Sequence, residues 1–117
     1  MPKIRMSEAL RTSQYSQVRG ELMLRADPYG KVTGMCALGQ IYERIFDELP
    51  ALGTITPDIR GMLEEAGYPT YHMALHPVTG WEAGIGEIIE DLNDAEGWTS
   101  EEIADWLEKE EERIAHG

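Results

Sequence analysis

The chain has 117 residues and carries 22 Asp/Glu against 10 Lys/Arg, a net charge of −12. That length allows one domain, and a surplus of that sign repels nucleic acid and anionic membrane, which argues against direct action on either. A single cysteine, Cys36, leaves no internal disulfide and no cysteine zinc cage, and no stretch approaches the length needed to cross a bilayer.

Residues 1–6 hold no apolar run like a signal peptide's, so a soluble cytoplasmic protein is expected. A short helix around Ser7–Thr12 would bury Ala9 and Leu10. Asp27-Pro28-Tyr29-Gly30 fits a type I turn between Glu21–Arg25 and Lys31–Met35, which suggests a small hairpin. The first strong helix begins at Cys36. Its Leu38, Ile41, Tyr42, Ile45, Phe46 and Leu49 share one face, and Pro50 is its stop. The second has Thr56 as N-cap, Pro57 at the first helical position, a stripe of Ile59, Met62, Leu63 and Ala66, and Gly67 as left-handed terminator.

Between Pro69 and Pro77, Tyr71, Met73 and Leu75 alternate with His72, Ala74 and His76, the period of an extended segment. That alternation predicts solvent-facing histidines. A third helix runs from about Gly84 to Asn93 with Ile85, Ile88, Ile89 and Leu92 inward, and Gly97 can close it. The fourth opens on a capping box, Thr99-Ser100-Glu101-Glu102, and turns Ile103, Trp106, Leu107 and Ile114 inward. The expected fold is one mostly helical α+β domain over residues 1–117. Four to five short helices surround one core, with a small β-hairpin or extended segment.

The candidate chemistry is thin. Cys36 at a helix start could have a lowered thiol pKa and act as nucleophile, with His72 or His76 as base; a buried structural cysteine is the simpler reading. His72 and His76 stand four apart, but no Glu lies between them and Pro77 disfavours helix at His76, so no zinc pair is expected. His116 falls in a terminus expected to fray. The Gly80–Gly86 run lacks a following Lys and is flanked by Glu82 and Glu87, which suits a turn better than a phosphate loop. Glu90, Asp91 and Asp94 lie close in sequence without a calcium-loop pattern, and Asn93 is expected to bond backbone at the helix end. No cofactor and no metal are expected.

The acids are unevenly spread. Residues 1–60 hold eight Lys/Arg and seven Asp/Glu, whereas residues 61–117 hold two Lys/Arg and fifteen Asp/Glu. On the fourth helix Asp105, Glu108, Glu110, Glu111 and Glu112 crowd toward the end, where the helix dipole opposes acid. Pairs such as Asp105/Lys109 and Glu110/Arg113 offset the repulsion only in part. These five acids are the candidate partner-binding set.

At Gly34-Met35-Cys36-Ala37-Leu38-Gly39 and Asp91-Leu92-Asn93-Asp94 the chain resembles a group of small uncharacterised phage and bacterial proteins. Their Ser-Glu-Ala-Leu-Arg-like opening helix is matched by Ser7–Arg11, and their Ile-Ala-Asp-Trp-Leu-Glu-like helix by Ile103–Glu108. The resemblance implies a phage or prophage source, no known activity, and a structural role for Cys36, Gly39, Asn93 and Asp94. In that role the Asn93 amide ties down the loop before Cys36.

The favoured expectation is an acidic protein in the bacterial host cytoplasm. It would dock on a basic protein surface, such as that of a nucleic-acid-binding host protein, and block it as counter-defence or nucleic-acid mimicry. Trp81, Trp98 and Trp106 are candidate anchors, although such tryptophans more often belong to the core. The alternatives are a cysteine-dependent enzyme and a homo-oligomeric viral accessory protein with Ile114 at the contact.

Overall fold

The computed structural model describes residues 4–25 and 31–116. Its elements follow one another as α1 (Met6–Arg11), β1 (Ser16–Gln17), β2 (Met23–Arg25), β3 (Val32–Met35), α2 (Ala37–Phe46), α3 (Thr56–Glu65), β4 (Met73–Leu75), β5 (Glu82–Gly84), α4 (Ile85–Asp94) and α5 (Ser100–His116). The fold is mixed α+β, as the hydrophobic spacing predicts. β3 is the centre of a three-stranded sheet, parallel to β1 and antiparallel to β2. β2 and β3 are the arms of the expected hairpin; its Asp27–Gly30 turn lies outside the described residues. β4 and β5 form a separate antiparallel pair.

The helix signals hold with small displacements. Cys36 takes the extended conformation of an N-cap to α2, which ends at Phe46 because Asp47 turns left-handed (φ 55°). The stop therefore comes before Pro50, and Leu49 falls outside the helix and is exposed. At α3 the cap position belongs to Ile55 rather than Thr56. The Asp58 carboxylate reaches back to accept the Ile55 N–H at 3.2 Å, which fixes the start one residue earlier. Gly67 takes the expected positive φ of 95°. The capping box of α5 forms in both directions: Thr99 N–H donates to Glu102 Oε1 at 3.0 Å, and Glu102 N–H donates to Thr99 Oγ1 at 3.2 Å.

The core is one cluster drawn from every helix. Met6, Ala9 and Leu10 of α1 meet Leu38 and Ile41 of α2, Ile59 and Leu63 of α3, Ile85, Ile88, Ile89 and Leu92 of α4, and Ile103 and Leu107 of α5. Trp98, Trp106 and Ile114 pack against it half-buried. Close approach of α2 to the chain before β2 depends on Gly39, where a Cβ would lie 3.0 Å from the Leu22 carbonyl oxygen. No helix among the described residues is long and apolar enough to cross a membrane.

Two features depart from the sequence expectation. β1 and β5 are too short to leave a periodic signal, and Glu82–Gly84, expected within a turn, is a strand. The alternation along β4 is real, but its phase is inverted at the histidine. Met73 and Leu75 face solvent, while Ala74 and His76 are buried. The cause lies across the hairpin. Ala74 sits opposite Ala83, so the two small side chains share the face turned toward the core, and the strand's period of two then carries His76 inward as well.

Candidate functional site

The start of α2 is held from α4. Asn93, at 1 % exposure, accepts the Ala37 N–H at 3.0 Å and the Gln17 amide at 2.8 Å through Oδ1. Its Nδ2 donates to the Val18 carbonyl at 2.9 Å and to Asp94 Oδ1 at 2.7 Å. The same Asp94 oxygen accepts the Gly20 N–H at 2.8 Å. One amide with all four of its bonding positions used thus joins β1, the loop after it, α2 and α4. The bond to the helix entry falls on Ala37, just after Cys36, rather than on the residues before it. This joint is structural.

Cys36 is buried, and its thiol is pushed up to about 11 by desolvation, with Asp94 and Glu90 pushing the same way against backbone hydrogen bonds. At neutral pH it is a thiol, the unreactive form. Among the described residues no hydrogen bond joins either histidine to the thiol. His72 is exposed. His76 is buried at 6 % exposure, which corrects the expectation of a solvent-facing side chain. Both of its ring nitrogens are engaged. Nδ1 accepts the N–H groups of Val78 at 3.1 Å and Thr79 at 3.2 Å, so Nε2 carries the proton and donates to Asp91 Oδ2 at 2.6 Å. His76 therefore locks the turn between β4 and β5, and Asp91 of α4 orients it.

The other chemical candidates resolve the same way. The α4 start is no anion cradle, since the Ile85 and Gly86 N–H groups already donate to the His72 and Thr70 carbonyls at 2.9 and 2.8 Å. A Cβ at Gly86 would fall 2.6 Å from Arg60 Cδ, so the Arg60 side chain lies directly over this turn of α4. Glu90, Asp91 and Asp94 turn to three different partners: Arg60, His76 and the Asn93 joint. Among the described residues no group of three metal-ligating side chains converges.

The five acids of α5 are met from within the molecule. Arg11 of α1 reaches Asp105 at 2.6 Å, Glu108 at 3.1 Å and Glu101 at 3.5 Å. Arg5 pairs with Glu112, which also faces His116 at 3.3 Å. Glu110 pairs with Arg113 at 2.9 Å. Glu111 is buried, accepts the Ser7 hydroxyl and, at 3.4 Å, the Ser7 N–H, and has its pKa raised by desolvation. Because α5 runs on to His116, its last turn carries Arg113 and His116, the signs that suit the dipole. Asp105 turns to Arg11 instead of Lys109. Apart from Glu110, whose partner is on α5 itself, the acidic run is thus a seam that fastens α1 and its N-cap residue Arg5 to α5.

The open chemistry lies at the β4–β5 hairpin instead. Tyr71, Met73, Leu75, Val78 and Trp81 are all exposed, and Trp81, at 77 %, is the most exposed large apolar side chain among the described residues. Beside the indole a cleft of about 450 Å³ is lined by His76, Glu82, Ala83, Glu87, Ile88 and Asp91, among others. Glu82 and Glu87 have no cationic partner among the described residues. In sequence Trp81 is one of three tryptophans with nothing to set it apart. No local signal marks it, because the Ala74/Ala83 pair that defines the inner face of the hairpin and sends its larger neighbours outward forms only when the two strands meet.

Comparison with family models, with curated proteins and with solved structures returns no match.

Proposed function

We propose that this protein is an acidic interaction module that captures a cationic side chain of a partner protein in the Trp81 cleft and so covers a basic surface. The observation that carries this reading is the placement of a largely exposed indole next to two carboxylates that lack an internal counter-ion among the described residues. An aromatic face and a carboxylate together attract Lys or Arg more strongly than either does alone. Covering a tryptophan removes on the order of 150 Å² of apolar surface from water, worth about 4 kcal/mol before the costs of association. The net charge of −12 steers positive partners toward the molecule. Blocking a nucleic-acid-binding host protein, with carboxylates standing in for phosphates, is the form this takes in a phage-encoded protein.

The reading is tested by capture from bacterial lysate at low and high salt, with wild type, Trp81→Ala, the double variant Glu82→Gln/Glu87→Gln, and Glu108→Gln as control. A partner held at low salt, released at high salt and lost with the first two variants supports it. A partner lost only with Glu108→Gln moves the surface to α5 and overturns the assignment to the hairpin, as does the absence of any salt-sensitive partner.

A further inference from the structure

Antiparallel strands alternate bonded and non-bonded pairs, and the bonded ones here are identifiable. Ile85 N–H donates to the His72 carbonyl at 2.9 Å, and His76 N–H donates to the Trp81 carbonyl at 2.8 Å. With Ala74 opposite Ala83, the main-chain groups of Met73 and Leu75 therefore point away from β5. They open onto a groove of about 390 Å³ between β4 and the end of α5, lined by Met73, Ala74, Leu75, Glu82, Glu110 and Arg113. One of these groups is already met. Arg113 donates a guanidinium N–H to the Met73 carbonyl at 3.2 Å, the place an incoming strand's N–H would take.

We infer that the outer edge of β4 receives an extended, cationic segment of the partner, which adds to the hairpin as a third strand. This rests on the reading of the hairpin as the docking surface and specifies the mode. An exposed strand edge is a template for another chain, and backbone pairing supplies affinity while neighbouring side chains supply selectivity. Charge selects the occupant. Glu82 lies opposite Leu75 on the same exposed face and has no counter-ion among the described residues. Glu110 borders the groove, and a strand that displaces the Arg113 guanidinium from Met73 meets that carboxylate next. A second copy would bring another net −12 and the same carboxylates onto this edge, so like-charge repulsion disfavours it. A segment alternating basic and small residues meets the carboxylates and leaves its backbone free to pair.

The test uses the full chain and two synthetic octapeptides of alternating Arg and Thr. They are identical except that one is N-methylated on alternate residues, which keeps its charge and removes half its backbone N–H donors. Hydrogen exchange followed by NMR reads the Met73 and Leu75 amides. The expected result is slowing of both amides by roughly tenfold or more with the unmodified peptide, and roughly tenfold weaker binding of the methylated one. Leu75→Pro, which removes an outward N–H, weakens the unmodified peptide in parallel. Equal binding of both peptides with unprotected amides means charge attraction alone; it overturns strand addition while leaving the Trp81 reading standing. Protection that rises with protein concentration in the absence of peptide assigns the edge to a second copy and overturns the inference. Binding of neither peptide overturns it too, whereas the Trp81 reading falls only with the lysate capture.

Discussion

The side-chain oxygen of Asn93 accepts the main-chain N–H of Ala37 at 3.0 Å, so the last turn of α4 supplies the partner that the first turn of α2 lacks. A helix start leaves its first N–H groups without intrahelical acceptors, and the N–H of Ala37, the first residue of α2, is one of them. The amide fills that role from across the core. Asn93→Ala leaves the Ala37 N–H and the Val18 carbonyl without their partner. Buried groups left unpaired cost about 1–3 kcal/mol each, so a loss of about 3 kcal/mol is expected in urea unfolding. A loss below about 1 kcal/mol would show that water replaces the amide.

Cys36 should stay unreactive in the folded protein, because burial raises its thiol to about 11. Iodoacetamide is expected to label it only after unfolding in denaturant. Labelling of the native protein at neutral pH at the rate of a free thiol would restore the nucleophile reading.

The lock at the hairpin turn predicts a local rather than global effect. Asparagine at position 76 can still offer an oxygen to the Val78 and Thr79 N–H groups, whereas leucine cannot. His76→Leu is expected to speed hydrogen exchange at Val78 and Thr79 and cost about 1 kcal/mol, since both residues are exposed and water takes over part of the bonding. His76→Asn should be milder at the turn. Equal exchange in the two variants would remove the role given to Nδ1.

Glu111 gives a pH signature with a definite sign. Its folded pKa lies above the ordinary carboxylate value of 4.5 because desolvation outweighs the bonds from Ser7. As pH rises through that value the folded state holds its proton longer than the unfolded one, so the contribution of Glu111 to stability falls across that window. Glu111→Gln lacks this dependence. The stability of wild type relative to the variant is expected to be greatest near pH ~4 and to shrink toward pH ~7, read as the difference between paired urea curves. A difference that grows with pH contradicts the assignment.

Arg11 serves three carboxylates at once. Arg11→Met leaves Glu101, Asp105 and Glu108 along one helix face without their shared cation. These carboxylates are solvent-exposed, so a loss of only about 0.5–1 kcal/mol is expected at low salt. The loss should narrow in about 1 M NaCl as the repulsion is screened. Thermal melts at two salt concentrations check it; a loss independent of salt would assign the role of Arg11 to packing.

The four longer helices were legible in the sequence because each carries its own signal: a 3.6-residue apolar stripe, a capping box at Thr99, a proline at position 57, a glycine at position 67. Such signals are local, set by neighbours three or four residues apart, and tertiary packing reinforces them here. The candidate site was not legible in this way. A period of two tells that one face of β4 differs from the other. Which face turns inward depends on Ala83 beside it, supplied by a strand with no signal of its own. Charge shows the same division. Composition determined the net −12, but whether a given carboxylate is neutralised depends on partners far away in sequence: Arg11 lies 94 positions from Asp105. Folding brings those two within hydrogen-bond reach and leaves Glu82 and Glu87 without such a partner among the described residues. Coulomb attraction acts on distance in space, and the chain order alone does not set that distance.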